Sequence, residues 1–323
     1  MAETSLGRMT RKSPVGAFES FGNSRFISIG GWINATIPIL IVPYYSVIGG
    51  WVIKYLIEYF AGHSKTLAGD AYFTTFISNG WSTEICFIIF TLFTLGIIYA
   101  GVRNGIERVS KFMMPILIVL SLIIAVYSVT RPGAIEGVKY FLVPNFDHFS
   151  WMTVVSAMGQ MFYSLSIAMG ILITFGSYMK KDTSIEKSTE NVEIFDTAIA
   201  IMAGLMIIPA VFAFSGGNAE TLKSGPALMF ITIPKVFANM GFGTAIGVVF
   251  FLLVLFAAVT SSIALTESAV STFEDELHWS RKKYNCVHGN GYVTAWNRFP
   301  ALGMDLLRIL RFLECNFLIS SIS

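Results

Sequence analysis

Long apolar stretches alternate with shorter polar connections along this chain of 323 residues. An α-helix rises about 1.5 Å per residue, so about 20 mostly apolar residues cross the roughly 30 Å hydrocarbon core of a bilayer. The apolar stretches are close to this length or longer. The pattern therefore predicts about six transmembrane helices, at approximately Trp32–Phe60, Glu84–Gly101, Val109–Thr130, Trp151–Tyr178, Val192–Phe214 and Phe242–Phe273.

The composition agrees with this pattern. Hydrophobic residues make up 54% of the chain and charged residues 13%, and the mean hydropathy is +0.66. These values exceed those of an ordinary soluble domain. The net charge of +2 gives no reason to expect a nucleic-acid partner. The predicted fold class is therefore an all-α integral membrane protein.

The fourth apolar stretch contains the run GQMFYSLSIAMG, from Gly159 to Gly170. Small and hydroxyl-bearing residues interrupt the predicted span near its middle. A helix that breaks at membrane depth frees backbone groups, and each free group in hydrocarbon costs several kcal/mol unless a neighbour or a ligand satisfies it. We therefore predict a discontinuous helix near residues 164–168 that holds a solute, as in a transporter.

Lysine and arginine are distributed unevenly between the two sides of the predicted bundle. Six spans place both chain ends on one side, and short cytoplasmic connections are enriched in these two residues. The richer side is therefore predicted to face the cytoplasm. The chain is then integral to the cytoplasmic membrane, and both of its ends lie on the cytoplasmic side. The richer side holds Arg8, Arg11, Lys12, Arg25, Arg103, Arg108, Lys111, Lys180, Lys181, Lys187, Arg281, Lys282 and Lys283, and the other side holds Lys65, Arg131, Lys139, Lys223 and Lys235.

Two regions depart from the pattern of spans and short turns. The connection Ser215–Gly241 is too long for a plain turn. For this connection we predict two short amphipathic helices, joined near Gly225 and folded over the outer mouth of the bundle. After Lys283 no apolar stretch of spanning length follows, so residues 284–323 are predicted to be a divergent tail.

Five motifs resemble the neurotransmitter:sodium symporter family, the LeuT-like transporters, in order and spacing. They are LGRMTRKSPVGAF, VPYYSVIGGW, NGIERVSKFMMPIL, GQMFYSLSIAMG and AAVTSSIAL. The resemblance implies that residues 1–283 form a partial LeuT-like inverted-repeat bundle, which covers about the third to the eighth family helix. By the same comparison the first two family helices are lacking, and a frame shift is one origin for the tail of residues 284–323.

The resemblance also implies two sodium sites. Sodium is a hard cation that prefers oxygen ligands. The family pattern assigns Ser164 and Asp196 to the site nearest the substrate, and the Ala257 carbonyl with the Thr260 and Ser261 hydroxyls to the second site. The last three share one helical face. Alternatively, the hydroxyls bond back to the preceding turn or join helices, and Asp196 reaches water at the cytoplasmic end of its span.

An amino acid is the substrate that the resemblance implies. Its carboxylate would meet the Tyr45 hydroxyl and free amides of Leu165–Ala168, where a half-helix begins with a favourable dipole. The pocket is apolar with a few hydroxyls, which favours a neutral, hydrophobic or aromatic amino acid. The implied substrate residues are Ile41, Tyr45, Tyr163, Ser164, Ser166, Met169, Ser262 and Leu265.

The function implied by the resemblance is sodium-coupled symport of such an amino acid. The alternative is an inactive, truncated or frame-shifted relative that does not transport by itself. Ala200 stands where a Glu or Ser matters for chloride in relatives, so chloride dependence is not expected. The sequence has no catalytic, phosphate-binding or haem motif, so neither an enzyme nor a cofactor is expected. The expected partners are the amino acid, sodium and the lipid bilayer, and the oligomeric state stays open.

Overall fold

The computed structural model describes residues 1–22, 24–144, 146, 149–216 and 225–278, but not the side chains of residues 103 and 104. Within this part of the chain the regular structure is helical, without β-strands. The helices are α1 Ala2–Thr10, α2 Pro14–Glu19, α3 Arg25–Phe60, α4 Ser64–Leu67, α5 Tyr72–Ser78, α6 Gly80–Tyr99, α7 Glu107–Val129, α8 Ala134–Leu142, α9 Trp151–Ser164, α10 Ile171–Tyr178, α11 Ile185–Ser215, α12 Ile233–Ala238 and α13 Gly243–Leu277, with π-helical turns at Val102–Ile106 and Leu228–Thr232.

Five helices, α3, α6, α7, α11 and α13, are long and apolar enough to cross a membrane. The remaining predicted span forms two pieces, α9 and α10, so each of the six apolar stretches has a helical counterpart. The prediction of an all-α membrane protein is confirmed. Helix α3 begins at Arg25 rather than Trp32, because a helix can continue into the polar interface beyond its apolar stretch.

The discontinuous helix lies at the predicted position. Helix α9 ends at Ser164, and α10 begins at Ile171. Between them the backbone angle φ is 55° at Ser166, 61° at Ala168 and 69° at Gly170. Residues other than glycine lose about 1 to 2 kcal/mol in this left-handed region. Contacts with the rest of the protein must therefore hold the backbone in this open form.

Helices α3 and α13 form the centre of the bundle, and α6 packs against both. A Cβ atom on Gly50 of α3 would lie 2.8 Å from the backbone nitrogen of Phe87 in α6. A Cβ atom on Gly247 of α13 would lie 2.1 Å from the ring of Tyr59 in α3. Small residues thus allow the helices to approach closely, as is common for helix contacts in membranes.

Helices α4, α5 and α12 lie against the carboxyl end of α3. The Tyr55 hydroxyl donates to the Phe230 carbonyl at 2.8 Å, and Trp51 makes an edge contact with the Phe73 ring, with 5.3 Å between centroids. The helical segment Leu228–Ala238 corresponds to the second predicted amphipathic helix. The first falls mainly on residues 217–224 and the predicted tail on residues 284–323, which are outside the described residues.

Candidate functional site

The second half of the broken helix, α10, is held closely against α1. A Cβ atom on Gly7 of α1 would lie 1.9 Å from the Ile173 carbonyl oxygen, and one on Gly176 of α10 would lie 2.4 Å from the Thr4 carbonyl oxygen. Only glycine permits backbones to approach this closely. Helix α1 therefore fixes the position of α10 beside the break.

Two arginines of the amino-terminal segment add polar contacts at the carboxyl end of α10. Arg11 Nη1 donates to the Ser177 carbonyl at 2.7 Å, and Arg8 Nη2 donates to the Lys181 carbonyl at 2.8 Å. Carbonyls at the end of a helix lack partners within the helix, and a positive charge there is favourable. The contacts of α1 and of Arg11 therefore extend from Ile173 to the segment that follows α10.

Five backbone amides of the break, those of residues 165–168 and 170, have hydrogen-bond partners. The Ala168 amide donates to Glu3 Oε1 at 2.7 Å, and the Gly170 amide donates to Asn34 Oδ1 at 2.9 Å. The amides of residues 165–167 donate to carbonyls of α9 at 2.9 to 3.2 Å. The prediction that the amides at 165–168 are free is therefore wrong, because a carboxylate from α1 and turns of α9 satisfy them. Sequence reasoning missed Glu3 and Asn34.

The backbone carbonyls of the break are in a different situation. Within the described chain, the carbonyls of residues 164–169 accept no backbone hydrogen bond. The second carboxylate oxygen of Glu3 is buried and also has no hydrogen-bond partner among the described residues. A break that offers oxygen acceptors beside a negative charge is suited to a cation.

Two residues predicted for the first sodium site are in direct contact. Ser164 Oγ donates to Asp196 Oδ1 at 2.6 Å, and this bond joins the last residue of α9 to α11. The distance is typical of a hydroxyl that donates to a charged carboxylate. Asp196 is half-buried, whereas Ser164 is exposed. The contact brings a hydroxyl and a carboxylate together at the edge of the break.

Four predicted substrate residues belong to one apolar cluster, which joins α3, the break and α13. The Tyr45 hydroxyl lies near the side chain of Ser261. A predicted substrate residue is thus close to a predicted ligand of the second sodium site. The apolar cluster contains the buried Val42, Ile171 and Leu265, and the partly buried Ile41, Tyr45, Met169, Phe175 and Ala264.

The hydroxyls of α13 differ in their partners. Thr260 Oγ1 donates to the carbonyls of Phe256 at 3.1 Å and Ala257 at 3.0 Å. These bonds agree with the alternative interpretation, in which the hydroxyl bonds back to the preceding turn of its own helix. Ser262 is completely buried, and its hydroxyl has no partner among the described residues. Buried polar groups are nearly always hydrogen-bonded. The Ser262 hydroxyl is therefore available to a ligand or an ordered water molecule.

The first half of the broken helix is the exposed side of the site. Helix α9 buries none of its residues against the described chain. Tyr163 on this helix is 50% exposed and lies outside the apolar cluster. Ser166 follows within the break, and Ala200 is exposed on α11. The predicted site residues on α3 and α13 are thus buried or partly buried, except for the exposed Ser261, and those on α9 are exposed.

A polar contact between α10 and α13 was missed by sequence reasoning. The Tyr178 hydroxyl donates to Glu267 Oε1 at 2.7 Å, and Glu267 is completely buried. Beside it, Thr174 Oγ1 lies 3.1 Å from Ser271 Oγ. The signal for Glu267 in the sequence is an ionisable residue within an apolar stretch, which is rare and usually functional. These contacts tie α10 to the centre of the bundle.

Residues 74–295 match the family described as the sodium:neurotransmitter symporter family. The chain belongs to this family. It is 33% identical over 292 residues to the uncharacterized sodium-dependent transporter YhdH of Bacillus subtilis, with 90% of this chain and 64% of YhdH covered. It is 30% identical over 319 residues to an uncharacterized sodium-dependent transporter of Haemophilus influenzae, with 95% of this chain and 69% of that protein covered.

The chain also resembles a solved structure, the crystal structure of MhsT in complex with L-phenylalanine. The TM-score is 0.80 at 34% sequence identity, and the match covers 91% of this chain and 67% of the MhsT chain. The predicted LeuT-like fold is confirmed. The chain spans less than two thirds of the length of YhdH. It is a membrane-integral member of a family of sodium-dependent transporters.

Proposed function

We propose that this protein carries a neutral, hydrophobic or aromatic amino acid across the cytoplasmic membrane together with sodium. The observation that carries the proposal is the 2.6 Å hydrogen bond between Ser164 and Asp196. It combines a carboxylate with a hydroxyl at the point where a membrane helix opens. In hydrocarbon such a group of oxygens is costly without a cation, and the family consists of sodium-dependent transporters.

In this proposal the first sodium ion is held by Ser164 and Asp196, with backbone carbonyls of the break as further oxygen ligands. The second is held by the Ala257 carbonyl with the Thr260 and Ser261 hydroxyls. The carbonyl and the Thr260 hydroxyl are 3.0 Å apart, so a small rotation of the hydroxyl directs both oxygens toward one ion. Since Asp196 supplies negative charge itself and Ala200 has no polar group, chloride is not required.

The proposed amino acid lies against the apolar cluster, near the Tyr45 and Ser262 hydroxyls. Ile41, Met169 and Leu265 form a wall without charge. Such a wall favours a neutral apolar side chain, because an ionised side chain would lose its hydration without gaining a partner. The complex of MhsT with L-phenylalanine supports an aromatic substrate. Tyr163, Ser164 and Ser166 then contact the amino acid from the side of α9.

Sodium and the amino acid are coupled because each completes the site of the other. Each then raises the affinity for the other by the same factor. A membrane potential adds about 2.3 kcal/mol for each 100 mV to the free energy of moving one sodium charge inward. In the predicted orientation, with the chain ends in the cytoplasm, this free energy drives uptake.

A second candidate function is a membrane protein that binds these ligands without transporting them by itself. The observation that favours it is the exposure of α9, which has no buried residue against the described chain. A site that is open on one side binds its ligands. Transport by alternating access requires in addition that the site close toward each side of the membrane in turn.

The two candidates are separated by measuring binding and uptake on the same purified chain. We expect sodium, but not potassium, to promote binding of radiolabelled L-phenylalanine in detergent. In proteoliposomes an inward sodium gradient should then drive its accumulation. Binding without accumulation favours the second candidate. Binding of neutral amino acids that is indifferent to sodium contradicts both.

A further inference from the structure

Glu84 is a buried acidic residue that the proposed transport site does not use. It lies on α6 and is 8% exposed. Both of its carboxyl oxygens are buried without a hydrogen-bond partner among the described residues. Farther along the same helix, the hydroxyls of Thr91 and Thr94 are also buried without described partners. An acid in this position requires an explanation, because buried polar groups are nearly always paired.

The surroundings of Glu84 are aromatic. Phe87, one turn farther along α6, belongs to a buried core that also contains Trp51, Phe73 and Phe76. The neighbouring Thr83 hydroxyl is already directed to the carbonyl of Phe76, at 3.1 Å. Among these four side chains only Trp51 carries a hydrogen-bond donor, and its indole nitrogen is also buried without a described partner, so it makes no hydrogen bond to Glu84. The immediate environment therefore opposes the charged form of Glu84.

The charged groups of the neighbouring helices are paired with each other. Lys54 Nζ and His63 Nδ1 lie 2.6 and 2.7 Å from the two carboxylate oxygens of Glu58. Burial and the charge of Glu58 raise the pKa of Tyr72 to about 12, so the Tyr72 hydroxyl stays protonated beside Glu58. On α6 itself the nearest titratable group is the buried thiol of Cys86.

The third helix that packs against α6, α13, has no titratable residue between Gly243 and Thr266. Among the described residues, no hydrogen-bond donor reaches either oxygen of the Glu84 carboxyl. An unpaired carboxylate in such a place costs far more free energy than a neutral carboxylic acid.

We propose that Glu84 is a proton-binding site. In the conformation described here the proton resides on the carboxyl. The Glu84 carboxyl exchanges this proton with the aqueous phase at the Gly80 end of α6. Release of the proton leaves Glu84 as a carboxylate. Four residues separate Glu84 from Gly80, a rise of about 6 Å along the helix. Trp81 beside that end is 82% exposed, and tryptophan is enriched where membrane helices meet the aqueous interface.

Infrared difference spectroscopy tests this site directly on the full chain in membranes. At neutral pH we expect a carbonyl band of a protonated carboxylic acid that shifts in deuterium oxide and disappears in Glu84→Gln. The control Glu107→Gln should keep the band, because Glu107 is 52% exposed and paired with Lys111. Absence of such a band from the unmodified protein would overturn the proposal, as would a Glu84→Gln spectrum that keeps the full carbonyl intensity. A residual band of lower intensity would belong to another buried acid, such as Glu267.

A second measurement compares how the stability of the unmodified protein and of Glu84→Gln depends on pH. Because the native protein keeps a proton that the unfolded chain releases, rising pH above about 5 should destabilise the unmodified protein relative to Glu84→Gln. The ratio of their unfolding constants should change about tenfold per pH unit until Glu84 ionises in the native state. If Glu84→Gln does not fold, reversible loss of the band in the unmodified protein at high pH supports the site, and a pH-independent spectrum overturns it. Neither measurement requires sodium or an amino acid, so the outcome is independent of the proposed transport.

Discussion

Asp196 combines a formal charge, partial burial and a hydroxyl partner in one position. Its carboxylate accepts a hydrogen bond from the Ser164 hydroxyl at 2.6 Å. Asp196 lies on α11, which has a long apolar stretch. An ionised Asp near the centre of a membrane helix costs about 2.5 to 3.5 kcal/mol on insertion scales. A bound sodium ion would offset this cost, since the carboxylate then has an opposite charge beside it.

Replacement of Asp196 by Ala should weaken sodium binding more than it weakens folding. A hydrogen bond to a charged group contributes about 1.5 to 3 kcal/mol. The sodium concentration that half-maximally promotes phenylalanine binding should therefore rise by about tenfold or more. Asp182→Ala, at an exposed acid in the connection before α11, serves as the control. Equal sodium dependence in both variants would contradict the sodium role of Asp196.

Helix α1 and helix α10 form a pair whose contact depends on glycine. A Cβ atom on Gly7 would approach a backbone carbonyl oxygen at 1.9 Å, and backbone atoms cannot rotate away as a side chain can. The same pair carries the bond from the Ala168 amide to Glu3. The packing of α1 on α10 therefore also determines the form of the break.

The Gly7→Ala substitution should separate α1 from α10. Overpacking of this kind typically costs about 1 to 3 kcal/mol, so we expect a lower unfolding temperature in detergent. Gly96→Ala is the matched control, because a Cβ atom there would have open space around it, and alanine favours a helix over glycine by about 1 kcal/mol. A Gly7→Ala protein as stable as the control would show that the two helices do not pack as described.

The protein as a whole is asymmetric about the break. Helix α10 is packed between α1 and α13, whereas α9 buries no residue against the described chain. We predict that the five long apolar helices and the broken pair cross the membrane six times, which places both ends of this region on one side. The excess of lysine and arginine on that side predicts that it is cytoplasmic.

This orientation can be tested with single cysteines. In a variant whose Cys86, Cys286 and Cys315 are replaced by Ala, we would introduce either Thr66→Cys or Asp182→Cys. Both positions are exposed in the structure. A membrane-impermeant maleimide should label the cysteine at position 66 in intact cells, and the cysteine at position 182 only after the cells are opened. The reverse pattern would invert the proposed orientation.

The motif around Ser164 predicted the broken helix, and the family resemblance assigned Ser164 and Asp196 to one sodium site, which stays a prediction; the structure shows a hydrogen bond between the two residues. The same motif led to a wrong prediction for the amides, since Glu3 lies 165 residues from Ala168 in sequence. The contact between Tyr178 and Glu267 likewise joins residues 89 apart. A family motif carries information about its own residues, but it does not identify which distant polar group satisfies them.

The sequence by itself determined the membrane class, the approximate positions of the spans and the location of the break. Each of these depends on a local property, namely the length of apolar stretches relative to the bilayer or the small residues within one of them. Only the tertiary structure decided that Glu3 and Asn34 occupy the opened amides, and that the Glu84 carboxyl is buried without a described partner. Hydrogen-bond partners and burial depend on how distant helices pack, so no local pattern specifies them.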